Sequence, residues 1–256
     1  MIKGHQYIFL LTVTGFSLTV VCAVTEIMSG LGTRWGYWDF RTGLGIFRWA
    51  AYGEAAAVLI TIAGCIISGY RGAWNLFIFS VIGLLVGIAA VSVPLKMYST
   101  AQSVPPIHDI TTDTENPPQF KMILGLRKGA LNPAEYGGTE ISSQQLNAYP
   151  DIRPVILEVT PAKAFELCLA AAREMGWDII NAGSADGIIE GTDTTFWFGF
   201  KDDVVIRITP SEKGSRIDMR SVSRVGKSDV GANAKRIRNF INKLRQKNNF
   251  RVAVGK

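Results

Sequence analysis

The titratable side chains best suited to chemistry cluster in one short stretch, residues 99–120. His108, Asp109, Asp113 and Glu115 lie close together there. A histidine beside carboxylates is a set that can move protons, and carboxylate oxygens suit a hard metal ion. His108, Asp109 and Asp113 are therefore the catalytic candidates of this chain.

The spacing of these residues also fits a purely structural turn. It matches neither an EF-hand loop, whose glycine and closing glutamate are missing, nor a zinc motif, since only one histidine is present in the stretch. Short polar side chains in turns commonly bond their own backbone. We therefore predict no metal site.

Basic residues are concentrated near the end of the chain. Residues 216–256 hold 12 basic and two acidic side chains, a net charge of +10, whereas residues 101–215 hold 9 basic and 16 acidic ones, a net of −7. A basic helix face favours contact with anionic lipid headgroups. The candidates for binding an anion or a lipid are Arg207, Arg220, Arg224, Lys227, Lys235 and Arg238.

The alternative is that these charges pair inside the fold, because facing charges on neighbouring strands attract. In that case Arg207, Arg220 or Arg224 would meet Asp202, Asp203 or Asp218.

Two other modes of anion binding fit poorly. Residues 224–228 form a glycine-containing turn before a helix, but their spacing is not that of a Walker loop, and Asp229 would repel a phosphate. Aromatic residues are not interleaved with the basic ones, so nucleic acid is not an expected partner.

The cysteines offer little chemistry. Cys22, Cys65 and Cys168 all lie in apolar surroundings typical of small buried residues. The sequence has no evident set of nucleophile, base and orienting group. We therefore expect neither catalysis nor a cofactor.

The elements that must position these residues begin with three long apolar runs, residues 4–25, 49–70 and 72–95, which contain a single Asp, Glu, Lys or Arg, Glu54. A helix needs about 20 apolar residues to cross a bilayer. Tryptophan and tyrosine flank the runs, as is usual at the headgroup layer. Residues 1–98 are thus predicted to be a three-helix transmembrane region, with Glu26 and Glu54 close to the interface.

A proline- and glycine-rich stretch, residues 99–150, follows the apolar runs. The pairs Pro105-Pro106 and Pro117-Pro118 bias their neighbours toward extended backbone. We expect an extended strap here rather than a helix, with residues 121–150 as a long loop.

Residues 151–256 alternate between strand and helix patterns. A helix is expected from Pro161, with Thr160 as its N-cap, and another over residues 229–246. The expected strands are 154–159, 178–181, 187–192, 195–200, 204–209 and 216–222, with a turn at Lys201-Asp202-Asp203. This order predicts an α+β domain in which an antiparallel sheet carries two helices, as in helix-grip proteins.

Four segments resemble the bacterial DUF1499 family over about residues 104–245. They are PPIHDITTDTENPPQF, the turn Tyr149-Pro150-Asp151-Ile152, TTFWFGFKDDVVIRI and RSVSRVGKSDVGANAKRIRNF. Relatives are often exported or lipoprotein-like, so the resemblance implies a periplasmic C-terminal domain. Together with the three apolar runs, this predicts a multi-pass protein of the bacterial inner membrane. The resemblance implies no catalytic residue. The count of basic residues around the spans leans the other way by about one charge.

Three functions are compatible with these observations. The first is a membrane-anchored envelope module that binds a protein partner or anionic lipid without catalysis. The second is a hydrolase-like enzyme that uses His108 with Asp109 or Asp113. The third is a carrier of an apolar ligand in a helix-grip cavity lined by Phe196, Phe198 and Ile206.

Overall fold

The computed structural model describes the backbone of residues 2–254 and the side chains of residues 6–247. Two compact units divide the chain. The first comprises the residues up to Ser99 together with Phe196–Gly199, and the second comprises Thr100–Thr195 and the residues from Phe200 onward. Each unit is described separately below.

Three long helices form most of the first unit. They are α1 (Ile2–Arg34), α2 (Phe40–Tyr70) and α3 (Trp74–Ser103), the last of which ends just inside the second unit. Gln6–Arg34, Phe40–Tyr70 and Trp74–Ser103 are each long and apolar enough to cross a membrane. The chain is therefore a membrane-associated protein.

The inner faces of these helices carry small and hydroxyl-bearing side chains that allow close approach. Ser80 of α3 donates a hydrogen bond to Thr12 of α1 at 3.2 Å. Gly43 of α2 lies against α1, where an added Cβ would come within 2.0 Å of the Thr33 hydroxyl. Residues 40–48 form the first turns of α2, which the Asp39 carboxylate caps.

The second unit is built on one antiparallel sheet. Its strands are β1 (Asp109–Thr111), β2 (Val155–Leu157), β3 (Asp178–Gly183), β4 (Ile188–Thr194), β5 (Lys201–Ser211) and β6 (Gly214–Ser223). The strand order is β1-β6-β5-β4-β3, and β2 pairs with β6 on the same side as β1. Three α-helices accompany the sheet: α4 (Gly138–Ala148), α5 (Pro161–Glu174) and α6 (Ala232–Val254). The predicted α+β class is confirmed.

One face of the sheet packs against α5 and α6 around a continuous apolar core. Ile206 and Met219 of the sheet and Phe240 and Leu244 of α6 are almost completely buried there. The start of α5 is as predicted, since Thr160 caps it and Pro161 is its first residue.

The other face is covered by residues 112–136, which we call the covering segment. Phe120 and Ile123 of this segment pack against Ile188, Val205 and Val222 of the sheet. Because both faces are covered, polar side chains on these strands are withdrawn from water.

Several local predictions are wrong. The helix α3 continues to Ser103, and residues 121–150 contain α4 and a 3₁₀ helix, Met122–Arg127, rather than a long loop. The expected strand 195–200 is a turn, which Thr195 and Phe200 close through a 2.8 Å backbone hydrogen bond.

Two more corrections concern the start of β5 and the start of the last helix. Asp202 and Asp203 lie within β5 rather than in a turn. The last helix begins at Ala232, and Val230 precedes it with a positive φ of 52°.

Candidate functional site

The covered face of the sheet alternates apolar and charged residues. Strand register sets Asp203 opposite Val222, Val205 opposite Arg220, and Arg207 opposite Asp218. Since alternate residues of a strand share a face, four charged groups of the central hairpin lie beside Val205 and Val222 under the covering segment. The charges there need partners, because burial without them is costly.

Arg220 is the centre of this face and is fully buried. Its Nε and Nη2 donate to the two carboxylate oxygens of Asp109 at 2.9 and 2.7 Å. The guanidinium also lies over the rings of Phe120 and Tyr136, 5.2 and 5.4 Å from their centroids. Burial raises the pKa of the Asp109 carboxyl, and the bidentate contact with Arg220 opposes that rise.

Asp203 is the second buried carboxylate of this face. It accepts hydrogen bonds from Arg127 at 2.5 Å, from Arg224 at 2.8 and 2.9 Å, and from the Thr192 hydroxyl at 2.8 Å. Arg127 belongs to the covering segment, so this cluster ties the segment to the sheet.

A third cluster lies at the edge of the same face. Arg207 and Arg216 both contact Asp113 and Asp218, with nitrogen-to-oxygen distances of 2.8–3.1 Å. The hydrogen bonds from Arg216 to Asp218 raise the pKa of the arginine. On this face Arg207, Arg220 and Arg224 are thus all engaged in ion pairs. Arg207 and Arg224 pair with two of the expected acids, Asp218 and Asp203, whereas Arg220 pairs with Asp109.

His108 does not join the carboxylates in a catalytic arrangement. Its Nδ1 lies 3.3 Å from the Lys227 carbonyl oxygen, while Asp109 contacts Arg220, and Asp113 contacts Arg207 and Arg216. The backbone carbonyl of His108 accepts hydrogen bonds from Ser223 and Asn233. His108 therefore helps to join β6 to the start of α6.

The remaining basic candidates lie at the surface. Lys227 and Lys235 are exposed. Arg238 makes a bidentate contact with Asp151 at 2.6 and 2.7 Å, which raises the pKa of the arginine and lowers that of the aspartate.

Arg127 and Arg236 have structural roles that sequence analysis missed. On the helix-covered face, Arg236 contacts Asp202 at 2.5 Å and Asp193 at 2.7 Å. Their partners are 34 to 76 residues away, so no local spacing pointed to them. The one available signal was the acidic pair Asp202-Asp203, because a strand sends adjacent side chains to opposite faces.

One exposed apolar surface stands out on the second unit. Met122, Leu124 and Leu126 of the 3₁₀ helix, together with Leu131, are between 45% and 64% exposed. Buried residues alternate with them, since Ile123 is fully buried and Arg127 contacts Asp203. Lys121 and Lys128 flank the surface and are exposed.

Neither metal nor thiol chemistry is evident in the described part of the chain. Among the side chains of residues 6–247, no group of three or more His, Cys, Asp or Glu is arranged to hold a metal ion. The three cysteines are buried and unbridged, and burial raises the pKa of Cys168 to about 12.

The fold and this site define a membrane-associated protein with three apolar helices and an α+β domain that carries buried ion pairs on both faces of its sheet. The family model described as a protein of unknown function, DUF1499, matches residues 109–244, more than half of the chain, and the chain belongs to this family. A search of curated proteins finds no significant match.

Proposed function

We propose that the chain is a multi-pass protein of the bacterial inner membrane whose α+β domain lies in the periplasm and binds the anionic surface of a bilayer without catalysing a reaction. The observation that carries this proposal is the exposed apolar surface of residues 121–131, which we call the docking segment.

The docking segment is held firmly at its base. The Glu190 carboxylate accepts hydrogen bonds from the backbone N–H groups of Lys121 and Met122 at 2.6 and 2.9 Å. Ile123 packs against the sheet, and Arg127 pairs with Asp203. Because these anchors fix the backbone, the exposed side chains are presented without a large loss of conformational entropy on binding.

The composition of the docking segment favours a lipid surface. Contiguous exposed apolar side chains indicate a binding surface for a membrane or a protein. Lys121 and Lys128 add the positive charge that attracts anionic headgroups. The segment also follows the last candidate span closely in sequence, so the tether keeps it near a bilayer.

The other two functions receive less support. Catalysis through His108 would need Asp109 or Asp113, and arginines hold both carboxylates. A helix-grip carrier would need space between the helices and the sheet, where Ile206 and Phe240 are tightly buried. Phe196, expected to line such a cavity, is 84% exposed.

Amide hydrogen exchange of the full-length protein in nanodiscs tests the lipid surface. Nanodiscs of phosphatidylcholine alone are compared with nanodiscs that also contain phosphatidylglycerol. We expect slower exchange in residues 121–131 when the anionic lipid is present. The double substitution Leu124→Glu and Leu126→Glu should abolish this protection, because it removes apolar area and adds negative charge.

Ile156→Glu is the matched control, since Ile156 is 48% exposed on β2 and lies outside the docking segment. This variant should keep the protection. Equal exchange in both kinds of nanodisc would contradict the proposal. A cross-linker placed at position 124 would also contradict the proposal if, in cell membranes, it captured a protein rather than lipid. The docking segment would then bind a protein partner instead of the bilayer.

A further inference from the structure

Two glutamates of the first unit are buried among its helices. Glu54 of α2 is fully buried, and neither of its carboxylate oxygens has a hydrogen-bond partner among the described residues. Glu26 of α1 is 4% exposed, and its Oε1 likewise lacks a partner in that part of the chain. Unpaired carboxyl groups among apolar helices are costly, and such residues usually serve a function.

Glu26 differs from Glu54 because it lines a cavity. The cavity has a volume of ≈510 Å³ and lies entirely within the first unit, between aliphatic residues of α1 and α3 and the aromatic pair Phe196 and Trp197. This volume falls in the range of small-molecule sites. Glu26 is the only charged residue among those lining it.

Trp197, which forms part of the cavity wall, is well fixed. The indole N–H of Trp197 donates to the carbonyl oxygen of Ile27 at 2.9 Å. Its ring meets Phe47 edge-on at 5.3 Å between centroids. Gly30 makes room for it, since an added Cβ would come within 2.3 Å of the indole. The cavity wall is therefore pre-organised rather than a chance gap.

We propose that this cavity binds a membrane lipid bearing a primary amine, with the ammonium group at the Glu26 carboxylate and the hydrocarbon against α1 and α3. An ionised carboxylate only accepts hydrogen bonds, and an ammonium group supplies three donors and a compensating charge. This site shares no residue with the docking segment, so the experiment that tests it does not depend on the outcome for the proposed function.

Lipid titration of the full-length protein in mild detergent, followed by native mass spectrometry, tests the site. The probes are phosphatidylethanolamine and phosphatidylcholine with identical acyl chains. The trimethylated headgroup has no N–H donor, so we expect it to bind about tenfold more weakly, as for the loss of one charge-assisted hydrogen bond. Glu26→Gln should lower binding of phosphatidylethanolamine to the level of phosphatidylcholine.

Glu54→Gln is the matched control, because Glu54 is equally buried but is not among the residues lining the cavity. It should leave the preference for phosphatidylethanolamine unchanged. Ala90→Phe fills the cavity from α3 without altering any charge, and it should weaken both lipids.

Equal binding of the two lipids by the unchanged protein would overturn the proposal. So would full retention of the preference in Glu26→Gln or its loss in Glu54→Gln. If Glu26→Gln is not recovered folded, Ala90→Phe decides, since undiminished binding of phosphatidylethanolamine by that variant contradicts a site in the cavity.

Discussion

At the scale of single residues, Arg220 shows how this domain accommodates charge inside a small core. Its guanidinium is fully buried, faces Asp109 in a bidentate contact and donates to the Ala134 carbonyl at 2.8 Å. A buried ion pair gains little over a well-packed apolar pair, but the loss of one partner leaves an uncompensated charge. The contacts of Arg220 therefore add less to net stability than to specificity, since they fix β1 through Asp109 and the covering segment through Ala134.

Arg220→Met is expected to lower the free energy of unfolding by about 3–5 kcal/mol, because Asp109 would remain buried without its partner. Thermal unfolding of the full-length protein in mild detergent, followed by near-ultraviolet circular dichroism, measures this change. The double variant Asp109→Asn with Arg220→Met should recover much of the loss.

Arg238→Met provides the control for that measurement. Arg238 makes the same bidentate contact with Asp151, but both side chains are largely exposed, so solvent screens the pair. Its loss should cost less than about 1 kcal/mol. Equal destabilisation by the two substitutions would show that burial does not control the energy of these pairs.

The same packing also buries the hydroxyl of Tyr136. It is buried without a hydrogen-bond partner among the described residues, and burial raises its pKa to about 12, with a smaller contribution from Asp109. The phenol thus contributes area over Arg220 rather than a polar contact.

At the scale of elements, α4 stabilises the short strand β1 through one side chain. The side chain of Gln145 on α4 is fully buried and mimics a neighbouring strand. Its Oε1 accepts from the Thr111 N–H at 2.9 Å, and its Nε2 donates to the Thr111 carbonyl at 2.6 Å. A helix within the predicted loop is therefore what completes the edge of the sheet.

Gln145→Leu should destabilise the domain by about 2–4 kcal/mol, because two buried backbone groups of Thr111 would lose their partners. The amide of Thr111 should also exchange with solvent much faster, and hydrogen exchange read by mass spectrometry measures this. Gln144→Leu, one position earlier on α4 and only half-buried, should leave that amide protected. Unchanged exchange in Gln145→Leu would show that β6 alone holds β1.

At the scale of the whole molecule, the number of membrane crossings determines on which side of the bilayer the second unit lies. Three crossings would set the first residues of α1 and the α+β domain on opposite sides of the bilayer. The basic residues near the span ends are nearly equal in number on the two sides, so the positive-inside rule favours neither orientation strongly.

A topology reporter measures the side directly. Alkaline phosphatase fused after Lys256 should be active if the domain is periplasmic, because that enzyme needs an oxidising compartment for its disulfides. A fusion in the short connection at Gly72 should be inactive, since one crossing fewer reverses the side. The opposite pair of activities would contradict the periplasmic assignment, and activity of both fusions would contradict three crossings.

The sequence by itself determined the features that depend on local pattern. The membrane helices follow from uninterrupted apolar length, and α5 follows from the cap Thr160 and Pro161. The strand β6 follows from the alternation of apolar and charged residues over 217–220. Residue types left ion pairing open as an alternative to anion binding for Arg207, Arg220 and Arg224. Arg207 and Arg224 pair with acids named in that alternative, whereas Arg220 does not.

Only the tertiary structure decided which charges meet. Asp109 pairs with Arg220 across 111 residues, and Arg127 with Asp203 across 76, so no spacing rule connects them. The tertiary structure also grouped residues 196–199 with the apolar helices and aligned Glu26 with a cavity. Local propensity acts over a few residues, whereas burial of charge and the shape of a cavity depend on groups distant in the chain, whose positions exist only once the chain has folded.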